Sequence, residues 1–187
     1  MRVIAGKFGS RRLKTLRGLA LRPSSDRLRE TLFNILGAEV EDSLFVDAFA
    51  GTGAVGIEAL SRGAREVIFL ENHRAATNLI RENLKSLGIA SGAEILAMNA
   101  VAGFTQLAAR RLLADFIFLD PPYAQTSDYL EVLNFLDASR LLAPRGIVIV
   151  EHRRKLDLPA RLRNLEESRV VEQGDSALTF YRLALAA

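Results

Sequence analysis

The stretch FIFLDPPY, residues 116–123, joins an apolar run to an acid, two prolines and a tyrosine. Because the two prolines restrict the backbone after Asp120, the Asp120 carboxylate and the Pro121 carbonyl are expected to lie side by side as two acceptors. An exocyclic aromatic amine carries two N–H donors that match them. Such acceptors would localise the nitrogen lone pair and stabilise the charge that develops when nitrogen attacks a methyl group. The stretch therefore predicts methylation of an amine without a protein nucleophile or strong base.

The aromatic residue that follows, Tyr123, is expected to stack on the target base, a contact worth about 1 to 3 kcal/mol, while the base is held out of its helix. The alternative interpretation is a stiff turn that only ends a strand. The chain has no cysteine, and methylation at C5 of a pyrimidine normally uses a covalent cysteine adduct. The predicted target is therefore an amine nitrogen.

A second candidate site lies in FVDAFAGTGAVGIEAL, where Gly51, Gly53 and Gly56 form G-x-G-x-x-G between a strand-like and a helix-like run. These glycines allow a tight turn and a close approach of a ligand to the backbone. Fifteen residues beyond Gly56, Glu71 ends the next strand-like run, where an acid can accept hydrogen bonds from ribose hydroxyls. Together these features predict an adenosine-containing cofactor, with a purely structural glycine turn as the alternative.

The acid before the glycines bears on which cofactor this is. A dinucleotide would place its pyrophosphate on the helix N-terminus, and Asp47, four residues before Gly51, would repel it. S-adenosylmethionine instead carries an ammonium and a sulfonium that Asp47 would attract. The sequence thus favours S-adenosylmethionine. A dinucleotide-dependent oxidoreductase stays as an alternative that leaves Asp-Pro-Pro-Tyr unexplained.

The charge of the chain is distributed unevenly. Residues 1–29 hold nine basic side chains and one acid, a local charge of +8, so the other 158 residues carry −5 of the total of +3. Clustered Lys and Arg gain affinity by releasing counterions from phosphates, which predicts a polyanion partner; a solvated terminus is the alternative. With only His73 and His152 and no cysteine, we expect no metal site and two histidines on the surface.

The elements that must position these residues alternate from residue 44 onward. Short apolar strands without polar alternation, separated by helices, predict a parallel sheet covered on both faces. The five predicted strands are LFVDAF, EVIFLE, AEILAM, DFIFLD and GIVIVE, and two more strands are expected to form an antiparallel hairpin across Gly174-Asp175. Before residue 44 we expect a hairpin or extended arm and then a short amphipathic helix, with Leu28, Leu32, Ile35 and Leu36 on one face.

Two long-range features are missing from the sequence. No apolar run reaches the roughly 18 to 20 residues that cross a bilayer, and MRVIAGKFGS lacks the apolar centre of a secretory signal. We therefore expect a soluble, cytoplasmic protein with no membrane partner. For the oligomeric state, a monomer is the default expectation.

Four stretches resemble the successive motifs of the RsmD family, bacterial methyltransferases that modify N2 of a guanine in 16S ribosomal RNA. They are RVIAGKFGSRRL, RPSSDRLRETLFNIL, DAFAGTGAVGIEALSRGA and FLDPPY, and the resemblance runs from Arg2 to about Tyr181. It implies a Rossmann-like S-adenosylmethionine-dependent methyltransferase fold: a mostly parallel seven-stranded sheet with an antiparallel C-terminal hairpin edge. It further implies a basic N-terminal hairpin and helix extension at 1–37, packed on a methyltransferase domain at 38–187.

The resemblance also implies roles for individual residues. Asp47, Gly51 and Gly53 would line the methionine side of the cofactor, and Glu71 would bind its ribose. The cofactor set is completed by Ala48, Asn72, Asn99, Ala100 and Asp120. Asn99 stands where many related enzymes carry Asp. The catalytic set that would hold the guanine is Asp120, Pro121, Pro122 and Tyr123, and the RNA contacts would be Arg11, Arg12, Lys14, Arg22 and Arg27.

The implied partner is 16S ribosomal RNA within an assembling or assembled small subunit, with no metal. The block around Arg22, Ser24 and Arg27 resembles a motif that closes over the methionine carboxylate, although helix capping by Ser24 is the alternative. Two further functions stay open: an adenine-N6 methyltransferase that uses the same pair of acceptors, and a non-catalytic RNA-binding assembly factor.

Overall fold

The computed structural model describes residues 1–15, 26–122 and 126–184. Its helices are α1 (Asp26–Leu36), α2 (Ala54–Ser61), α3 (Arg74–Ser86), α4 (Ala100–Ala109) and α5 (Thr126–Ala138), with 3-10 turns at Gly6–Phe8 and Gly37–Val40. Its strands are β1 (Leu44–Ala48), β2 (Glu66–Leu70), β3 (Ala93–Leu96), β4 (Ala114–Leu119), β5 (Leu142–Arg153), β6 (Leu165–Gln173) and β7 (Ser176–Leu183). No helix in these ranges is both long and apolar enough to cross a membrane.

The seven strands form one sheet in the order β3-β2-β1-β4-β5-β7-β6. β1 and β2, β2 and β3, and β4 and β5 pair in parallel. β7 pairs antiparallel with both β5 and β6, and Gly174 turns the hairpin with φ of 63°. The predicted mostly parallel sheet with an antiparallel C-terminal edge is confirmed. The chain separates into two compact units, Met1–Asn99 and Ala100–Ala187.

In the first unit, burial explains the apolar strands of the sequence. All five residues of β1 are buried, and one face of α1 is buried through Leu28, Leu32 and Leu36. Phe33 of α1 stacks on Phe45 of β1, with ring centroids 6.1 Å apart. The predicted amphipathic helix is therefore present.

The N-terminal arm, which we define as residues 1–15, folds back on itself. Arg2 and Arg12 form an antiparallel bridge, and the Val3 amide donates to the Arg11 carbonyl at 2.9 Å. Val3 and Leu13 are buried, whereas the basic side chains of Arg11 and Arg12 are exposed. The expected hairpin-like arm thus has an apolar anchoring side and a charged outer side.

In the second unit, one histidine contradicts the expectation of two surface histidines. His73 of the first unit is exposed, but His152 on β5 is only 4% exposed. Its Nδ1 lies 2.8 Å from the Arg153 carbonyl and its Nε2 lies 2.8 Å from Thr179 Oγ1. Since a carbonyl only accepts, Nδ1 carries the proton and Nε2 accepts from the threonine. Burial lowers the pKa of His152, which favours the neutral ring.

Candidate functional site

The glycine loop, residues 49–53, connects β1 to α2. Its backbone turns through three residues with positive φ: Phe49 at 61°, Gly51 at 54° and Gly53 at 75°. The glycines adopt this region without a Cβ clash, whereas Phe49 is a non-glycine residue held there by its surroundings. Gly56 is needed for another reason, because a Cβ at this position would lie 2.4 Å from the Phe69 ring. The third glycine therefore lets α2 pack closely on β2.

Glu71 holds the glycine loop through backbone donors. The Gly51 amide donates to Glu71 Oε2 at 2.8 Å and the His73 amide donates to Oε1 at 2.7 Å. The side chain is largely buried, with 8% exposed. A carboxylate oxygen can accept more than one hydrogen bond, so ribose hydroxyls can still bind here. Glu71 therefore also holds the glycine loop in place, a role beyond the ribose binding that the sequence predicts.

Asp47 is the second acid of this region. It is 2% exposed, and its Oδ2 accepts a hydrogen bond from the Gly56 amide at 2.8 Å. Burial raises the pKa of Asp47 to about 8; the Gly56 hydrogen bond opposes this rise and the charge of Glu71 adds to it. A cation beside Asp47 would favour its ionised form. The position is suited to a positively charged ligand and unsuited to a pyrophosphate.

The other cofactor candidates of the first unit follow the same edge of the sheet. β1 and β2 are in register at Asp47 with Phe69 and at Ala48 with Leu70. The glycine loop and Glu71 therefore follow the carboxyl ends of two neighbouring strands. Asn72 and Asn99 are exposed, and Asn99 follows β3. These residues form the candidate cofactor site. Ala100 is the buried first residue of α4 in the second unit.

The Asp-Pro-Pro stretch belongs to the second unit. Asp120 directly follows β4 and is half-buried, Pro121 is buried and Pro122 is exposed. The hydroxyl of Tyr129 on α5 donates to the Pro121 carbonyl at 3.3 Å. This contact orients the carbonyl and leaves its second lone pair available. Tyr129 was not a sequence candidate, and Tyr123 lies outside the described residues.

Glu58 of α2 anchors the N-terminal arm. Its two carboxylate oxygens accept the Ile4 and Ala5 amides at 2.7 and 3.0 Å. Its charge is met by Arg62 Nε at 2.9 Å and by Arg29 Nε at 3.9 Å. Glu58 is completely buried. It therefore joins the arm to the helix that begins at the glycine loop.

Arg29 is buried, so it does not contribute to the basic surface expected from residues 1–29. Its side chain has no exposure, and it donates to the Arg2 carbonyl at 2.6 Å and to Asp26 Oδ1 at 3.1 Å. Its Nε and Nη1 are buried without a hydrogen-bond partner among the described residues. The sequence predicts a polyanion surface from the basic residues at 1–29, but Arg29 stabilises the arm and α1 from inside.

Asn83 of α3 connects the arm to the glycine loop. It is completely buried; its Oδ1 accepts the Lys14 amide at 2.8 Å. Its Nδ2 donates to the carbonyls of Lys14 and Thr52 at 3.2 and 3.1 Å. Sequence reasoning missed Asn83, although a polar residue on the apolar stripe of Leu79, Ile80 and Leu84 was a usable sign.

The candidate RNA contacts of the first unit are exposed where they are described. Arg11, Arg12, Lys14 and Arg27 have exposed side chains, and Arg22 lies outside the described residues, as does Ser24. Arg11 donates to the Ser86 carbonyl at 2.9 Å, and Lys14 Nζ pairs with Glu82 at 2.9 Å. The arm is thus held on α3 by some of the side chains expected to meet phosphates. In residues 1–15, 26–122 and 126–184 no three His, Cys, Asp or Glu side chains are grouped as a metal site.

Comparisons with known proteins agree with this geometry. The model of a family described as Conserved hypothetical protein 95 matches residues 1–182. Ribosomal RNA small subunit methyltransferase D of Escherichia coli K12 is 33% identical over 182 residues, covering 97% of this chain and 89% of that protein.

Solved structures agree at the level of the fold. A hypothetical protein of Thermus thermophilus superposes with a TM-score of 0.85 at 31% identity, covering 98% of this chain and 99% of the other. A methyltransferase-type structure, SMU.776 complexed with SAH, has a TM-score of 0.69 at 13% identity over 84% of this chain and 48% of its own; it supports the fold alone. The chain belongs to the Conserved hypothetical protein 95 family, which is the RsmD family.

Proposed function

We propose that this chain transfers a methyl group from S-adenosylmethionine to the exocyclic N2 amine of a guanine in 16S ribosomal RNA. The observation that carries the proposal is the buried pair of acids at the glycine loop. Asp47 and Glu71 lie at the carboxyl ends of β1 and β2, where Asp47 suits a cation and Glu71 suits ribose hydroxyls. Membership of the RsmD family and the name of the E. coli relative support ribosomal RNA as substrate.

The residues of the first unit would bind the cofactor. Asp47 would accept the ammonium of S-adenosylmethionine, Glu71 its ribose hydroxyls, and the open backbone at Gly51 and Gly53 would allow close contact. By the family resemblance, Asn99 would meet the adenine amine. The cofactor supplies the methyl group and a sulfonium leaving group, so the protein needs no nucleophile of its own.

Asp120 and the Pro121 carbonyl would hold the two hydrogens of the guanine amine. Attack of the amine nitrogen on the methyl group would displace the sulfonium sulfur with the bonding electrons, and Asp120 or water would take the extra proton from the nitrogen. Positioning of this kind contributes on the order of 7 to 11 kcal/mol in favourable cases. The hydroxyl of Tyr129 would keep the Pro121 carbonyl in its orientation, Pro122 would stiffen the turn, and Tyr123 would stack on the base.

The N-terminal arm would bind the RNA backbone. Its outer side chains Arg11, Arg12 and Lys14, with Arg27 of α1, would contact phosphates, as would Arg22. In this proposal residues 1–37 are an RNA-binding extension of a catalytic domain at 38–187, and the protein acts as a monomer in the cytoplasm on an assembling or assembled small subunit.

Methyl transfer from labelled S-adenosylmethionine to unmethylated small subunits, followed by nucleoside digestion and mass analysis, tests the whole proposal. We expect N2-methylguanosine at one stoichiometric site. N6-methyladenosine would keep the chemistry and overturn the guanine assignment. No incorporation into subunits or naked RNA would support a binding factor instead.

The amine clamp is tested separately with Asp120→Ala. We expect turnover to fall by at least about a thousandfold, because a preorganised acceptor of developing charge is lost, while the Kd for S-adenosylmethionine stays within about threefold. Asp115→Ala, on the same strand β4, is the matched control. Normal turnover in Asp120→Ala would contradict the clamp.

A further inference from the structure

The outer face of α3 carries a row of polar, mostly basic side chains. Arg74, Asn78, Arg81 and Lys85 are all exposed, and their spacings of four, three and four residues place them on one face of the helix. At 1.5 Å per residue the row extends about 16 Å along the helix. Arg81 donates to Asn78 Oδ1 at 2.9 Å, which orders the middle of the row. We call these four residues the α3 row.

The N-terminal arm lies along the flank of this row. Lys14 Nζ pairs with Glu82 at 2.9 Å, and Arg11 donates to the Ser86 carbonyl at 2.9 Å. Glu82 and Ser86 each come one residue after a member of the row. At 100° per residue they lie roughly a quarter turn around the helix from it. The arm and the α3 row therefore form one continuous surface.

This composite surface is strongly positive. Residues 11–14 and 74–86 together contain six basic side chains and one acid, a local charge of +5. That acid, Glu82, is already paired with Lys14. The excess of positive charge would attract phosphates over a Debye length of about 8 Å at physiological salt.

An open groove of about 500 Å³ lies where the arm meets α3. Its walls are Lys14, Thr15, Ala75, Asn78, Leu79 and Glu82. The lining combines an apolar floor with amide, hydroxyl and charged groups at the rim. Such a groove can take a nucleobase by its apolar face and its hydrogen-bonding edge, while the cations on either side bind the adjoining phosphates.

We propose that α3 and the N-terminal arm form the two sides of a binding groove for single-stranded RNA, with the phosphate contacts extended from the arm to Arg74, Arg81 and Lys85 of the α3 row beside the groove. That the RNA is ribosomal rests on the proposed function. The charge distribution and the groove by themselves assign the ligand as a polyanionic strand with exposed bases.

The charge part of this proposal is tested by the triple variant Arg74→Gln, Arg81→Gln, Lys85→Gln. The probe is in vitro transcribed 16S ribosomal RNA, and the Kd is measured across a series of KCl concentrations around physiological ionic strength. Loss of three contacts to a single strand should lower the slope of log K against log salt by about 2, with a Kd at least about tenfold higher at physiological salt. The control carries the same charge change at exposed sites of the second unit: Arg110→Gln, Arg140→Gln, Arg145→Gln.

The groove is tested with Ala75→Trp, which fills it without removing charge. We expect weaker RNA binding with an unchanged salt slope. In methyl transfer, both the triple variant and Ala75→Trp should raise KM for RNA, while kcat and the Kd for S-adenosylmethionine stay as in the wild type, because no altered residue contacts the reacting atoms.

The outcomes separate this proposal from the function on which it rests. If the wild type transfers no methyl group but the triple variant loses RNA affinity and salt slope, the proposed reaction fails and the binding surface stands. If the wild type methylates RNA and the triple variant binds like the control, the surface is contradicted. Ala75→Trp with wild-type RNA affinity would overturn the groove as the seat of the base.

Discussion

Two buried carboxylates of the first unit, Asp47 and Glu58, both accept hydrogen bonds from backbone amides near α2. Their other partners differ. Asp47 accepts one amide, from Gly56 near the start of the helix. Glu58, within the helix, accepts two amides of the N-terminal arm and is also paired with Arg29 and Arg62. They are 2% and 0% exposed, so burial alone does not distinguish them.

The difference lies in charge compensation. A buried charge with a purely structural role needs a partner of opposite charge within the protein, and Glu58 has such partners in Arg29 and Arg62. For Asp47, burial and the neighbouring Glu71 both act to raise the pKa. Among the residues that the structure describes, no cation is paired with Asp47, and a buried acid without a built-in counter-charge is typical of binding sites. Glu58 is therefore suited to holding the arm in place, whereas the surroundings of Asp47 are suited to a cationic ligand.

The largest expected effect comes from removing the compensated charge. Glu58→Gln would remove one of the two acids beside the buried Arg29 guanidinium, leave Asp26 as the other, and weaken two backbone contacts of the arm. Breaking a buried ion pair on one side typically costs about 3 to 5 kcal/mol, and we expect the free energy of unfolding to fall by an amount in that range. Chemical denaturation checks this, with Glu66→Gln at the half-buried start of β2 as control. A loss below about 1 kcal/mol would show that Glu58 is not a structural anchor.

For Asp47, we expect removal of the charge to raise the free energy of unfolding, whereas removal of the Glu58 charge lowers it. The pKa of Asp47 is about 8 in the folded protein and 3.8 ordinarily, so between these pH values the folded state holds a proton that the unfolded state has released. Stability therefore falls as pH rises through this window, by up to about 1.4 kcal/mol per pH unit from this group.

Asp47→Asn removes that titration while keeping an acceptor for the Gly56 amide. Without ligand, we expect the variant to gain stability relative to the wild type as pH increases from about 5 to about 8, and to bind S-adenosylmethionine at least about tenfold more weakly. Thermal unfolding across pH and calorimetric titration measure the two effects. A wild-type pH profile in Asp47→Asn would remove the contrast with Glu58.

A smaller effect is expected where the arm meets the end of α2. Gly6 has φ of 76°, and a Cβ there would lie 1.9 Å from the Ser61 carbonyl oxygen. Gly6→Ala should displace the arm from Ser61 and Glu58 and lower stability by about 2 kcal/mol, with a weaker Kd for RNA and an unchanged Kd for S-adenosylmethionine. Gly88→Ala is the control, because it also has positive φ but no atom within 4 Å of its Cβ. Equal losses in both variants would show backbone strain rather than lost docking.

The smallest expected effect concerns the residue shared by both regions. Asn83→Ala leaves the Lys14 amide and the Thr52 carbonyl without their side-chain partner, which should cost about 1 to 2 kcal/mol. Because the contact joins arm and loop, we expect both RNA and S-adenosylmethionine to bind a few-fold more weakly, as measured by separate titrations. Asn134→Ala, an exposed asparagine on α5, is the control. If only RNA affinity changes in Asn83→Ala, the arm and the loop are independent.

Part of the site could be predicted from the sequence because its residues lie in, or directly after, the strands that position them. The glycine loop, Asp47 and Glu71 are local features of strand ends, and their placement at the carboxyl ends of β1 and β2 was predictable from the alternating pattern. Tyr129, Asn83 and Arg29 were missed, since each acts on residues outside its own element. The apolar residues of AVAGFTQLAA, our α4, show little one-sided periodicity, so the sequence indicates this helix only by its place between two strands.

The sequence by itself determined the strands and most helices, the antiparallel hairpin at Gly174, and the chemistry available at the strand ends. These follow from local propensity and from the period of the apolar residues. Only the tertiary structure decided the strand order, the burial of Arg29 and His152, and which of two similar acids receives counter-charges. Burial and charge pairing depend on contacts such as that of Glu58 with Ile4, 54 residues away, and no local pattern encodes such a contact.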